Sequence, residues 1–303
     1  MSMTDYDVII VGAGPAGITA AIYLKRANIN VAIVEKAAPG GQLNKSSTIE
    51  NYPGFDKISG PDLAYKFYEQ INKMGIELIS DEVIDIIDLG DIKKVVLKNK
   101  ELACKKIILA LGRTPKRLEN KGESLEGKGI SFCSLCDGYL YKGEDVSIVG
   151  GGNSALEEAL YLSGICKSVT IINRSENLKG EGVLIDKVLN TENINIIYNA
   201  EVSNFNEKDG VLESIDIKEK DHITKLETKA CFIFIGYEPD TNFLKKLDIL
   251  DEKGYIITTE EMETKIKGIY AAGDVVKKDA YQIVTAASDG ALAAIACTKE
   301  LGK

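Results

Sequence analysis

Twice in this chain an apolar strand runs straight into a glycine-rich turn and then into a helix. The first strand, Tyr6–Val11, enters Gly12-Ala13-Gly14-Pro15-Ala16-Gly17, and residues 18–27 follow with a helical pattern. The second strand, Asp145–Val149, enters Gly150-Gly151-Gly152-Asn153-Ser154-Ala155, followed by a helix that carries Glu157 and Glu158. Glycines at these places allow a tight turn and let backbone amides approach a pyrophosphate at the helix N-terminus. In each copy the next strand ends 23 residues after the first glycine (12 to 35 and 150 to 173): residues 31–34 deliver Glu35 and residues 168–172 deliver Asn173. Strand, loop, helix and strand in that register make a dinucleotide-binding unit, so the chain contains an internal repeat of it. The Glu35 carboxylate can accept hydrogen bonds from ribose hydroxyls and repels a 2'-phosphate, which reads as an adenosine site for FAD or NAD. Two such units in one chain suggest one bound flavin and one nucleotide that exchanges electrons with it.

Between the two copies lies Cys133-Ser134-Leu135-Cys136-Asp137. Two cysteines at that spacing can close a small ring, and the carboxyl beside the second can carry a proton, so the trio reads as a redox disulfide. The length of 303 residues calls for two domains with an ample core. A net charge of -9 argues against nucleic acid and anionic membranes, which would repel it. No apolar run is long enough to span a bilayer, and residues 1–7 lack a signal-peptide pattern, so a cytoplasmic location is expected. In that reducing compartment a transient catalytic disulfide is more in keeping than a static framework of six cysteines. Cys104, Cys166, Cys231 and Cys297 lack paired spacing and sit in or beside apolar segments, as structural thiols do. His222, the single histidine, lies in the polar stretch 218–225, which reads as an exposed hairpin turn without a catalytic role. No metal site is expected, and Ser154 has no histidine base in any motif, so hydrolase chemistry finds no support.

Further along, residues 107–112 form an apolar strand ending in Ala110-Leu111-Gly112, with Arg113-Thr114-Pro115 as a hinge. A matching crossing occurs at residues 232–236 followed by Tyr237-Glu238-Pro239. Residues 269–274 bring Asp274 to a tight turn, where its carboxylate can bind ribityl hydroxyls. The plan is one domain inserted into another through a pair of crossings.

The motifs GAGPAG (12–17), GGQL (40–43), IENYPG (49–54), CSLCD (133–137), GGGNSALEEALYL (150–162) and YAAGDV (270–275) occur in the order seen in the low-molecular-weight thioredoxin reductases, which the chain resembles over essentially its whole length. The resemblance implies an α/β fold of two Rossmann-like (three-layer ββα) dinucleotide-binding domains, the second inserted into the first. It implies an FAD domain built from residues 1–113 and 240–303, with a redox-disulfide domain at 114–239. It also implies a homodimer whose inserted domain rotates, presenting the cysteine pair alternately to the flavin and to thioredoxin. The FAD contacts implied are Gly12, Gly14, Ala16, Gly17, Glu35, Gly41, Gln42, Leu43, Asn51, Val83, Gly112, Gly273, Asp274, Gln282 and Ile283. Cys136 is then the flavin-facing sulfur and Cys133 the one that attacks the disulfide of thioredoxin. Thiol exchange needs a thiolate and a proton for the leaving sulfur, a proton that Asp137 is placed to handle. Where the family usually has Arg-Gln before its last helix, this chain has Tyr281-Gln282, so a cation is missing there.

The larger departure follows the second glycine loop. Family members that use NADPH show His-Arg-Arg-x-x-x-Arg, a cationic clamp for the 2'-phosphate; here the run is Asn173-Arg174-Ser175-Glu176-Asn177-Leu178-Lys179. A charge-assisted contact to phosphate is worth about 1.5–3 kcal/mol, so the altered clamp costs about two decades in NADPH affinity. NADH gains nothing clear, because Asn173 stands where an acid would hold the ribose diol. Three donors stay open. NADPH or NADH would use a loop of Gly150, Gly152, Asn153, Ser154 and Arg174. Reduced ferredoxin would serve as in the clostridial-type ferredoxin-dependent reductases, and the altered clamp favours it. The intact GGGNSA and the acidic charge stand against ferredoxin, whose docking would fall to Arg113, Lys116, Arg117 and Lys121. A dithiol oxidase of the same fold, running the cysteine pair backwards to oxygen, and a non-enzymatic flavoprotein are the competing functions. Ferredoxin-NADP reductases share the fold but lack the cysteine pair.

Overall fold

The computed structural model describes residues 4–46, 48–118, 122–220 and 222–302. Among them are six α-helices: α1 (Pro15–Arg26), α2 (Gly60–Lys73), α3 (Ser134–Asp137), α4 (Asn153–Ser163), α5 (Gly182–Leu189) and α6 (Ile283–Glu300). The chain divides into two compact units, Met1–Thr114 with Glu238–Lys303, and Pro115–Tyr237.

The first unit is built on a seven-stranded sheet. Tyr6–Val11 lies at its centre, parallel to Val31–Glu35 on one side and to Glu101–Leu109 on the other. Glu77–Ser80 extends one edge, Ile269–Ala271 pairs with the end of Glu101–Leu109, and Lys93–Leu97 and Val83–Asp88 add antiparallel strands. A parallel sheet covered on both faces has no polar side, which is why these strands read as unbroken apolar runs. Val8 and Ile10 pack towards Leu24 of α1 and Ala293 of α6, whereas Ile9 and Val11 pack towards Leu244, Ile249 and Val275. Small residues let α1 and α6 touch at the backbone: a Cβ on Gly290 would lie 2.1 Å from the Ala16 carbonyl oxygen. That crossing holds the first glycine loop beside the turn of Gly273, whose own Cβ would fall 2.8 Å from the Ala16 methyl.

The second unit repeats the scheme with a five-stranded parallel sheet in the order Ile194–Tyr198, Ser168–Asn173, Asp145–Val149, Ala230–Ile233, Ile130–Ser131. One face buries Val146, Ile148 and Ile171 under Leu156, Ala159 and Leu162 of α4. The other buries Val149 and Ile172 under an antiparallel layer, Ala200–Lys208, Val211–Glu219 and His222–Glu227, through Val202, Phe205 and Ile215. Sheet, antiparallel layer and helices form the three-layer ββα arrangement.

The strands at the crossings are shorter than the sequence suggests, ending at Leu109 and Ile233. Gly112 and Gly236 follow at φ 65° and 110°, conformations that stop a strand. Thr114 donates from Oγ1 to the Glu238 carbonyl in the first unit, and the Lys116 amide donates to Gly236 in the second. Cys104, Cys166, Cys231 and Cys297 are buried. Burial pushes the thiols of Cys104, Cys231 and Cys297 up to about 12 and that of Cys166 to about 11, so they stay protonated. His222 is exposed at the start of its strand, opposite Glu219. No helix among the described residues is long and apolar enough to cross a membrane, and none of their side chains cluster as metal ligands.

Candidate active site

In the first unit the glycine loop is closed at Gly12 and Gly17 and open at Gly14. Gly12 sits at φ 106°, and a Cβ there would lie 2.2 Å from the Ala110 carbonyl oxygen. At Gly14 a Cβ would meet no protein atom within 4 Å, and Gly41 lies against it, the Gly14 Cα being 3.5 Å from where a Gly41 Cβ would stand. The two glycines thus border an open cradle at the start of α1, of the kind a phosphate needs. Glu35 is fixed at the end of its strand, Oε2 accepting from the Ala13 amide (2.7 Å) and Oε1 from the Ala37 amide (2.9 Å). Each oxygen keeps a second lone pair for a hydroxyl donor.

Gln42 donates from Nε2 to the Arg113 carbonyl (2.7 Å), and its Oε1 is buried without a partner among the described residues. The Arg113 guanidinium reaches Asp274 Oδ2 (3.2 Å) and lies over the Tyr281 ring, 3.6 Å from its centroid. Arg113 therefore brings a cation to the neighbourhood of residue 281, where the sequence lacks one. Asn51 donates to Gln282 Oε1 (3.2 Å), and Gln282 and Thr285 cap α6. Leu43 and Ile283 meet in a small apolar cluster with Ile49 and Leu63. The Val83 side chain is packed in the core, and Gly112 leaves open space where a Cβ would be. A cradle at Gly14, a ribose-directed Glu35 and an unsatisfied Gln42 oxygen fit a flavin dinucleotide.

In the second unit Cys133 and Cys136 are joined as a disulfide, Cα to Cα 5.3 Å. The Cys136 amide donates to Cys133 Sγ (3.2 Å), a contact that favours a thiolate on Cys133 once the bond opens. Asp137, at the end of α3, is held by the Ser131 hydroxyl, which donates to Oδ2 at 2.6 Å while accepting the Cys133 amide at 3.0 Å. Its side chain thus serves no helix cap. Ser131 has no signature in the sequence, since nothing in the spacing ties it to the pair.

The second glycine loop repeats the first. Gly150 sits at φ 141° with its Cβ position 2.3 Å from the Phe234 carbonyl oxygen, and Gly152 faces open space as Gly14 does. Asn153 is tied to Glu181 through both side-chain and amide bonds (3.0 and 2.7 Å). Asn173 is buried and turned into its own loop, donating to the Ser175 and Asn177 carbonyls (2.8 and 3.1 Å). Its Oδ1 fills the space next to Gly151, 2.2 Å from where a Cβ would be. Arg174, Glu176 and Lys179 are exposed. The four residues suggested for a ferredoxin face stand differently in the structure. Arg113 is engaged with Asp274 and Tyr281, Arg117 pairs with Glu126, Lys116 is exposed, and Lys121 lies outside the described residues.

A family model for pyridine nucleotide-disulphide oxidoreductases matches residues 6–291. Thioredoxin reductase from Bacillus subtilis is 40% identical over 294 residues, 95% of this chain and 92% of that protein. The chain belongs to the thioredoxin reductase family. A solved thioredoxin reductase from Lactococcus lactis is 39% identical with a TM-score of 0.95, covering 97% of this chain and 98% of its own. A ferredoxin-flavin thioredoxin reductase from Clostridium acetobutylicum is 30% identical with a TM-score of 0.55, covering 98% of each chain. As a thioredoxin reductase family member the protein is a flavoprotein disulfide reductase that uses FAD.

Proposed function

We propose that this enzyme reduces thioredoxin through Cys133 and Cys136, and that its electron donor is a pyridine nucleotide taken up on the loop 150–153. The observation that carries the donor reading is Gly152: its open face reproduces that of Gly14, so the second loop offers phosphate the same access as the first. Arg174 and Lys179 have no ion pair among the described residues and are free to meet a 2'-phosphate. With one arginine where the family clamp has three, the preference for NADPH over NADH is expected to be modest.

The unit of residues 1–114 and 238–303 would hold FAD, which supplies two-electron transfer when bound. Gly12, Gly14, Ala16 and Gly17 would shape the pyrophosphate turn and Glu35 the ribose. Gly41, Gln42, Leu43, Asn51, Gly273, Asp274, Gln282 and Ile283 would line the remainder, with Val83 and Gly112 contributing main chain. In the unit 115–237 the disulfide accepts two electrons and opens. Cys136 is the sulfur that would take up the electrons from the flavin. Cys133, its sulfur stabilised by the Cys136 amide, attacks the disulfide of thioredoxin, and Asp137, positioned by Ser131, moves the proton that the leaving sulfur requires. A homodimer is supported by Val284, Leu292 and Ile295, exposed apolar residues of α6 that a second copy can cover.

Ferredoxin is the second reading, supported by the altered clamp and by the 30% identical ferredoxin-flavin enzyme. The test mixes oxidised holoenzyme anaerobically with NADPH, NADH or photoreduced ferredoxin and follows flavin bleaching. Bleaching by a nucleotide within milliseconds to seconds is the expected result; bleaching by ferredoxin alone would overturn the nucleotide reading.

A further inference from the structure

Helix α4 places a carboxylic acid where its apolar stripe meets the sheet. Glu158 is 6% exposed, between Ala155, Ala159 and Leu162, all fully buried. It faces Ser134, itself 0% exposed and seated between the two redox cysteines. Glu158 Oε2 and Ser134 Oγ are both buried without a hydrogen-bond partner among the described residues. The chain after α3 packs directly on α4, since a Cβ on Gly138 would lie 2.8 Å from Leu162 Cδ2. Burial favours the neutral form of a carboxyl. Here burial pushes it up to about 7, the Ser134 hydroxyl pulls it partly back and the Glu157 carboxylate pushes it further. The other titratable groups around it are Tyr161 on its own helix, with Cys166 beside that, and the cysteine pair and Asp137 around α3. The residues of the sheet and of α5 packed against α4, among them Val146, Ile148, Ile171, Leu184 and Val188, are apolar.

We propose that Glu158 is a positioning acid for the Cys133–Cys136 couple, binding a proton when the disulfide opens and releasing it when the pair closes. The inference rests on the reading of Cys133 and Cys136 as the redox pair. Opening the disulfide breaks one S–S bond, takes in two electrons and one proton, and leaves one thiol and one thiolate. The new negative charge next to Ser134 favours the neutral form of Glu158, which takes its proton from solvent. When the thiolate is consumed in attack on a substrate disulfide, that charge is gone and the proton returns. Neutralised in this way, Glu158 does not oppose the thiolate electrostatically as a fixed carboxylate would.

The experiment is an infrared difference spectrum of the holoenzyme, dithiothreitol-reduced minus oxidised, near pH 7. Wild type is expected to gain the carbonyl band of a protonated carboxyl on reduction, and Glu158→Gln to lack it. In Ser134→Ala, which keeps the acid, the band should remain and shift. Alkylation of Cys133 in the reduced enzyme gives a second readout. Wild type should show an inflection near pH 7 besides that of the thiol itself. In Glu158→Gln that inflection should vanish, leaving the inflection of the thiol alone. A reduced-minus-oxidised spectrum without a carboxyl band, a band that persists in Glu158→Gln, or alkylation profiles that superimpose would overturn the proposal. None of these readouts involves thioredoxin or the physiological donor, so failure of the proposed function would show separately, as loss of thioredoxin reduction.

Discussion

Replacing Gly152 by alanine separates the nucleotide donor from a protein donor with little disturbance to the fold. Gly152 sits at φ -93°, ψ 179°, extended backbone that any residue adopts, and a Cβ there touches no protein atom within 4 Å. Alanine therefore introduces no clash, and by restricting the unfolded chain it should add about 0.4–1 kcal/mol of stability. The same open space is the approach to the amides at the start of α4. A methyl that holds a phosphate off one amide removes one charge-assisted hydrogen bond, about 1.5–3 kcal/mol. That corresponds to roughly a 10- to 150-fold weaker nucleotide. The assay is anaerobic flavin bleaching at a series of NADPH and NADH concentrations, with thermal unfolding of the same samples. FAD content should be unchanged in Gly152→Ala, whereas the parallel change Gly14→Ala should lower FAD retention instead. Nucleotide dependence identical to wild type would refute the reasoning, as would a loss of stability comparable to that of a core clash.

Gly290→Ala would drive a methyl into the Ala16 carbonyl and should destabilise the protein by about 1–3 kcal/mol, read as a lowered Tm with loss of FAD. Ser131→Ala removes the donor to Asp137 and the acceptor of the Cys133 amide; a hydrogen bond to a charged group is worth about 1.5–3 kcal/mol, so thioredoxin reduction should slow by roughly 10- to 150-fold with FAD content intact. Arg113→Ala takes the guanidinium from Tyr281 and Asp274 and is expected to weaken FAD retention, measured by the flavin-to-protein absorbance ratio after gel filtration. Glu158, at about 7 in the folded protein against 4.5 when exposed, contributes stability that is fully present below about pH 4.5 and is lost as pH rises to about 7, by about 3 kcal/mol. Chemical denaturation across that window should therefore show Glu158→Gln gaining on wild type as pH increases, and a constant difference would contradict the burial argument.

The two nucleotide folds were legible because their signals are local. An apolar strand, glycines at a turn and a helix of fixed register all lie within a few dozen residues, and the structure places Gly14 and Gly152 alike. Shape at the crossings was less legible, since Leu109 and Ile233 end their strands through glycine conformations that apolarity does not report. The Arg113, Asp274 and Tyr281 arrangement joins positions far apart in sequence, so a hinge arginine read as a surface charge turns out to be mostly buried on an aromatic ring. Asn173 looked like a lost ribose ligand and is also a brace for its own loop. Glu158 did leave a trace, a charged residue on the stripe Ala155, Ala159, Leu162, but the stripe says nothing of Ser134 opposite it.

In the proposed cycle every electron that reaches thioredoxin passes through the cysteine pair. Holoenzyme can be photoreduced anaerobically, which bypasses the question of the donor, then mixed with oxidised thioredoxin, whose new thiols are counted after separation. Wild type should reduce thioredoxin, while Cys133→Ser and Cys136→Ser should be photoreduced normally yet deliver no thiols. Thioredoxin reduction that survives in either serine variant, or fails in the wild type, would contradict the central claim.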